Sequence, residues 1–116
     1  MPEASNRVRQ GAPSEMALPA VSAYEVWVGV LGSQNPKRRR EQFQAFLSVV
    51  EILPFDAQAA GRAAEVWHSL ERAGETIRPL DAMIAATALS RGHELVTRNL
   101  REFSRVPGLK AVNWHN

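Results

Sequence analysis

The stretch from residue 77 to residue 98 constrains the fold of this chain more than any other. Pro79 favours the start of a helix, because its fixed φ suits the first turn and its missing N–H is not needed there. Asp81 follows at the helix entrance, residues 82–89 are small or apolar at almost every position, and Gly92 ends the helix. A short Leu-Val-Thr run then predicts a strand. A buried helix that leads directly into a strand is the second half of a βαβ unit, which predicts a parallel sheet.

The composition is that of one globular domain. The chain has 116 residues, of which 45% are hydrophobic and 22% are charged, as in proteins with an ordinary hydrophobic core. It contains no cysteine, which excludes disulfides and thiolate metal sites and fits a reducing cytoplasm. No apolar run approaches the roughly 20 residues that span a bilayer, so we expect a cytoplasmic protein without a membrane segment.

Breaker residues and apolar periodicity predict the element order β-α-α-β-α-α-β-β. This order predicts an α/β fold, a three-layer α/β/α sandwich with a mostly parallel sheet. We expect residues 1–15 to be poorly ordered, with at most the tail of a helix at 6–10, and one domain over 16–116. Besides the helix and strand described above, the sequence predicts helices over 22–31, 37–50 and 57–72 and strands over 17–21, 51–55 and 109–114.

Acidic and amide side chains at the strand–helix junctions are the candidates for chemistry. Glu25 follows the first predicted strand, and Asp81 begins the central helix. Asn99 and Glu102 both follow the third strand. In a parallel sheet these junctions share the edge at which ligands bind. Acids that meet there repel each other unless a hard cation such as Mg²⁺ or Mn²⁺ lies between them, and such an ion can activate water for attack on a phosphodiester.

Each acid also has an ordinary structural interpretation. Glu25 could complete a Ser-x-x-Glu capping box with Ser22, and Asp81 could simply cap its helix. Glu102 could be a surface charge among neighbouring arginines. The basic cluster at 37–40 is typical of a solvated helix face, and its functional alternatives are contact with a phosphate backbone or binding of an acidic protein segment.

Five segments in series resemble the PIN domain, and most closely the VapC-type toxins of bacterial toxin–antitoxin pairs. The resemblance extends from about Met16 to Trp114 and combines motifs that are individually weak. The segments that carry it are Ala20–Val30, Glu51–Asp56, Pro79–Ala86, Leu95–Phe103 and Val112–Trp114.

The resemblance implies an endoribonuclease that depends on Mg²⁺ or Mn²⁺, forms a homodimer and is held silent by a cognate antitoxin. It places metal-binding acids at Glu25 and Asp81. The family's fourth acidic position falls on Asn99, and Glu102 is a nearby substitute, so we expect these four residues to form the catalytic site. The residues that we expect to contact RNA are Thr97, Arg98 and Arg101.

The chain departs from the family pattern at its N-terminus. The family begins with an apolar strand that ends in Leu-Asp-Thr-Asn or similar, and nothing here corresponds to it. We therefore expect an N-terminally truncated domain that lacks the first metal-binding aspartate and the central strand, unless Met1 is a wrongly assigned start or the N-terminal residues pair differently. The alternatives to a nuclease are a catalytically impaired module that keeps the antitoxin and dimer surfaces, or an unrelated nucleic-acid-binding domain that uses residues 37–40.

Overall fold

The structure is a computed structural model that describes residues 6–9 and 16–113. Every helix in this part of the chain is too short or too polar to cross a membrane. The elements, numbered in chain order, are β1 (Arg7–Arg9), β2 (Met16–Pro19), α1 (Ala20–Leu31), α2 (Pro36–Leu47), β3 (Glu51–Leu53), α3 (Ala57–Arg72), α4 (Pro79–Arg91), β4 (Glu94–Thr97), α5 (Leu100–Phe103) and β5 (Ala111–Asn113).

The five strands form one sheet in the order β3-β2-β1-β4-β5. The pairs β2–β3 and β4–β5 are parallel, whereas β1 runs antiparallel to both of its neighbours, β2 and β4. Four of the five strands therefore point in the same direction. The predicted mostly parallel sheet is confirmed.

Helices cover both faces of this sheet. The buried Ala17 of β2 belongs to a core cluster with residues of α3 and α4. The next residue, Leu18, instead packs in a second cluster with Val30 of α1 and Phe43 of α2. Because successive side chains of a strand point to opposite faces, the two clusters lie on opposite sides of the sheet. The predicted three-layer arrangement is confirmed.

The centre of the sheet is formed by β1, which the sequence analysis did not predict. Val8 is fully buried and pairs with Ala17 on one side and Leu95 on the other. The interpretation of this segment as the tail of a helix is wrong, and the expected gap in the middle of the sheet is filled by a strand of reversed direction. The expectation of poor order before Met16 thus fails for Arg7–Arg9, while residues 1–5 and 10–15 lie outside the described residues.

The central helix α4 has the predicted limits. Pro79 is its first residue, and Gly92 follows its last turn with a left-handed φ of +68°. The residues between Asp81 and Thr87 are almost all buried, so the helix packs against its neighbours nearly all round. It leads within three residues into β4, as the sequence predicted.

Several predicted element ends need correction: β2, α2 and β3 end earlier than predicted, at Pro19, Leu47 and Leu53, and β5 begins later, at Ala111. The first helix begins at Ala20, not Ser22, and it has no side-chain cap, so the capping box of Ser22 and Glu25 is wrong. The described part of the last strand ends at Asn113, and Trp114 lies outside the described residues. Asp56 caps α3, because its Oδ1 accepts a hydrogen bond from the N–H of Ala59 at 2.9 Å.

Candidate active site

The predicted acids come together at one edge of the sheet. Since β2 and β4 run in the same direction, both end at this edge. Glu25 lies in the second turn of α1, which follows β2 without a loop, and Glu102 lies in α5, which follows β4 after two residues. Asp81 reaches the same place from the first turn of α4. The sequence reasoning from parallel strands therefore located this cluster.

Arg78 joins two of these acids. Its Nε donates a hydrogen bond to Oδ2 of Asp81 at 3.0 Å, and its Nη2 donates to Oδ1 of Asp81 at 2.8 Å. The same Nη2 donates to Oε2 of Glu25 at 3.0 Å. Asp81 is only 1% exposed, so its carboxylate needs such a partner. The interaction with Asp81 is bidentate, which is the strongest geometry for an arginine–carboxylate pair.

Glu102 is held beside this pair by two hydrogen bonds. The Nδ2 of Asn99 donates to its Oε2 at 2.6 Å, and the backbone N–H of Arg78 donates to its Oε1 at 3.4 Å. The interpretation of Glu102 as a surface charge among arginines is therefore wrong. Asn99 acts here as the residue that orients Glu102.

A further chain of hydrogen bonds connects the site to the start of β1. The backbone N–H of Asn99 donates to Oγ1 of Thr97 at 2.9 Å, and that hydroxyl donates to Oδ1 of Asn6 at 2.7 Å. Because β1 is antiparallel to β4, the residue before β1 lies at the end of β4. The unexpected central strand thus brings an additional polar side chain to the site.

The acids open into a cleft of about 470 Å³ with a basic rim. Arg39 of α2 and Arg98 line it together with Glu25 and Asp81. Ser22 also lines the cleft, and its buried Oγ has no hydrogen-bond partner among the described residues. Buried hydroxyl groups in proteins are nearly always hydrogen-bonded, so this one is suited to meet a ligand or a water molecule.

The cluster shifts the pKa values of Asp81 and Glu102 in opposite directions. Burial, and then the neighbouring Glu102, raise the pKa of Asp81 to about 6, although the Arg78 guanidinium acts against this rise. For Glu102, burial acts to raise the pKa, but hydrogen bonds with Asp81, Asn99 and the N–H of Arg78 outweigh it and the pKa is lowered. Asp81 is therefore the carboxyl group that can exchange a proton near neutral pH.

The arrangement does not fit a divalent cation as it stands. Glu25, Asp81 and Glu102 carry the oxygen donors that Mg²⁺ and Mn²⁺ prefer. In residues 6–9 and 16–113, however, no three acidic or histidine side chains are grouped closely enough to hold a metal ion. The guanidinium of Arg78 lies between Glu25 and Asp81 and supplies the positive charge that these carboxylates require.

The residues predicted to contact RNA lie in different environments. Arg98 lines the cleft, but Arg101 is exposed and is not among the residues that line it. Thr97 is fully buried, so its hydroxyl serves the hydrogen-bond chain with Asn6 rather than a ligand at the surface.

The sequence analysis missed three residues of the site, namely Arg78, Asn6 and Ser22, the last of which it interpreted only as part of a capping box. Arg78 could have been found, because it stands three residues before Asp81, a spacing at which side chains on one helix end can pair. Asn6 gave no local signal, since its place depends on the pairing of β1.

Comparison with known proteins gives consistent matches. The PIN domain family model matches residues 2–109. The chain is 38% identical over 101 residues to the tRNA(fMet)-specific endonuclease VapC of Salmonella typhimurium, covering 87% of this chain and 76% of the relative. It is 34% identical over 112 residues to ribonuclease VapC2 of Haemophilus influenzae, covering 97% of this chain and 84% of the relative.

A solved structure shares the same fold. The DNA-bound VapBC complex of Salmonella typhimurium contains a chain that superimposes with a TM-score of 0.83 at 38% identity, covering 87% of this chain and 76% of that one. Both the architecture and the sequence therefore agree with the family model. This chain belongs to the PIN domain family, with VapC ribonucleases among its relatives.

Proposed function

We propose that this chain is an endoribonuclease of toxin type, that it hydrolyses RNA phosphodiester bonds with the help of Mg²⁺ or Mn²⁺, and that a cognate antitoxin protein silences it. The single observation that carries the proposal is the meeting of Glu25, Asp81 and Glu102 at the edge of the sheet beside a basic cleft. The relatives named as ribonucleases support the RNA substrate. The solved VapBC complexes support an antitoxin partner. We also propose a homodimer, which the resemblance to VapC-type toxins implies.

The side chains of the cleft suit a phosphodiester substrate. Arg39 and Arg98 place positive charge at the rim, where it attracts the RNA backbone. Asp81, with its pKa of about 6, can take a proton from water or return one to a leaving oxygen near neutral pH. The metal dependence in this proposal rests on the resemblance to the PIN domain, because Glu25 and Glu102 supply oxygen donors of the right type but are not grouped as a metal site among the described residues.

The test is cleavage of a structured RNA by the purified full chain with Mn²⁺ and with EDTA. We expect cleavage with Mn²⁺, none with EDTA, and loss of cleavage in Asp81→Ala, whose fold is checked by circular dichroism. Equal degradation by the chain and by Asp81→Ala would show that a contaminant cleaves the RNA. Cleavage that persists in EDTA would remove the metal from the proposal while keeping the nuclease.

A second candidate is a non-catalytic module that binds an antitoxin. The ion pairs of Arg78 favour it, because they neutralise two of the acids that a nuclease needs. This candidate predicts complex formation with an antitoxin peptide and no RNA cleavage under either condition.

A further inference from the structure

We propose that the hydroxyl of Ser22 recognises the 2′-hydroxyl of a ribose in the substrate, and that this contact lets the cleft distinguish RNA from DNA. The inference rests on the RNA substrate of the proposed function and adds a specificity-determining residue to it. Hydrolysis by the acids of the cluster does not require such a contact, because RNA and DNA share the same phosphodiester group.

The hydroxyl of Ser22 differs from the other serine hydroxyls on the helices of this chain. A serine on a helix commonly donates a hydrogen bond to a backbone carbonyl of the preceding turn. Four serines of this chain do so, each to the carbonyl three residues earlier, namely Ser33, Ser48, Ser90 and Ser104. Ser22 lies in the first turn of α1, and its buried Oγ has no hydrogen-bond partner among the described residues. Because buried hydroxyl groups are nearly always hydrogen-bonded, this one is suited to a partner that enters from the cleft.

The cleft has room for a sugar beside Ser22. The Ser22 side chain is 1% exposed and lines a cleft of about 470 Å³, which lies within the usual range of ligand sites, about 300–1,000 Å³. Gly29 lines the same cleft two turns further along α1. A Cβ added to Gly29 would have no atom of another element of the described chain within 4 Å. The cleft is therefore open along this face of α1.

The charges at the floor of the cleft favour a neutral group over a phosphate. Asp81 is as deeply buried as Ser22, and Glu25 lies one turn after Ser22 on α1. The guanidinium of Arg78 bridges these two carboxylates, so two negative charges are balanced by one positive charge. A phosphate at the floor would be repelled by the remaining negative charge, whereas a neutral hydroxyl would not.

The 2′-hydroxyl of RNA has the chemistry that this place requires. Arg39 and Arg98 are exposed and line the cleft, so they form a basic rim that attracts the phosphates of the RNA backbone. A strand held by its phosphates at the rim can direct a ribose towards the floor. The 2′-hydroxyl is neutral and, like the hydroxyl of Ser22, can both donate and accept a hydrogen bond. The two groups can therefore pair in either direction, and DNA lacks the second of them.

The experiment measures, by fluorescence anisotropy, the binding of three short single-stranded oligonucleotides of randomised sequence to the full chain. They are RNA, DNA, and 2′-O-methyl RNA, which keeps the sugar shape of RNA but cannot donate a hydrogen bond from its 2′ position. EDTA is present so that the proposed nuclease leaves the RNA intact.

The chain is compared with two variants of Ser22 and one control. Ser22→Ala removes the hydroxyl, and Ser22→Cys replaces it with a weaker hydrogen-bonding group of similar size. The control is Ser33→Ala, which removes a hydroxyl just beyond the end of α1 that donates to the carbonyl of Val30 at 2.8 Å. Ser33 is not among the residues that line the cleft. The Tm of each variant is measured as well.

We expect the unmodified chain to bind RNA more tightly than DNA or 2′-O-methyl RNA. Ser22→Ala should weaken RNA binding by about five- to tenfold, as loss of one hydrogen bond does, and leave DNA binding unchanged. Ser22→Cys should lie between the two, and Ser33→Ala should bind like the unmodified chain. Since Ser22→Ala removes no internal hydrogen bond, its Tm should equal or exceed that of the unmodified chain, whereas Ser33→Ala should melt at a lower temperature.

Four results would overturn the inference and leave the proposed nuclease intact, because RNA cleavage tests that activity separately. An equal loss of RNA and DNA affinity in Ser22→Ala would show that the hydroxyl meets a phosphate or a base. Unchanged RNA affinity in Ser22→Ala would show that the hydroxyl binds water only. Equal binding of RNA and 2′-O-methyl RNA by the unmodified chain would show that it reads the shape of the sugar. A lower Tm in Ser22→Ala would show that the hydroxyl has a partner within the chain.

One result would refute the inference together with the proposed substrate, namely failure of the unmodified chain to bind RNA. If Ser22→Ala does not fold, Ser22→Cys decides the question. An unchanged ratio of RNA to DNA affinity in Ser22→Cys would then contradict the recognition of the 2′-hydroxyl by Ser22.

Discussion

Val8→Ala tests whether β1 forms the centre of the sheet. The Val8 side chain is 0% exposed and lies between β2 and β4. The change removes two methyl groups, each worth about 0.8 kcal/mol of burial, and leaves a small cavity, so the free energy of unfolding should fall by about 2 kcal/mol. A domain of this length loses about 4 °C of Tm per kcal/mol, which gives a decrease of about 8 °C.

The matched control is Val28→Ala on α1, because Val28 is 54% exposed and the chemical change is the same. Its effect on unfolding should stay within about 0.5 kcal/mol. Thermal melts and urea titrations followed by circular dichroism measure both variants. If Val8→Ala lowers the free energy of unfolding no more than Val28→Ala does, Arg7–Arg9 does not form the central strand, and the pairing of β1 with β2 and β4 is wrong.

Three further predictions concern stability. Gly92→Ala should lower the free energy of unfolding by about 1 kcal/mol, because Gly92 has φ +68° and a Cβ disfavours that conformation; urea titration measures it. Lys110, and then Arg9, lower the pKa of Glu94 below its ordinary value of 4.5. The ionised Glu94 therefore stabilises the folded state, and this stabilisation is present above pH 4.5 and is lost as the pH falls through the lowered pKa. Glu94→Gln should accordingly flatten the decline of stability at acid pH. Thr97→Val should cost about 0.5–1.5 kcal/mol per hydrogen bond, since it removes the buried hydroxyl that bonds to Asn6 and to the N–H of Asn99, whereas no effect in denaturation would contradict the hydrogen-bond chain.

The predictable part of the fold depends on residues with strong local preferences. Pro79 and Gly92 mark the ends of α4 through their own backbone restrictions, so the limits of that helix follow from the sequence. Asp56 likewise caps α3 as its type predicts. The convergence of the acids was also predictable, because parallel strands end at a common edge regardless of the exact loop geometry.

The unpredicted part depends on contacts between distant segments. The Arg-Val-Arg pattern of β1 alternates with period two, which is a signal for a strand, but three residues are too few to separate it from a helix end. Its antiparallel pairing with β4 joins residues about 85 positions apart and cannot be read locally. The same holds for Glu25, which the local Ser-x-x-Glu spacing assigned to a capping box but which pairs with Arg78 across the fold.

The most direct test of the central claim is the rate of RNA cleavage by three conservative variants of the acid cluster. We expect Glu25→Gln, Asp81→Asn and Glu102→Gln each to reduce the rate by about a hundredfold or more, as loss of a group involved in proton transfer or charge stabilisation does. The controls change exposed acids outside the cluster, and these variants, Glu51→Gln and Glu65→Gln, should cleave RNA at the rate of the unmodified chain. If the cluster variants cleave RNA as fast as these controls, the edge of the sheet is not the catalytic site.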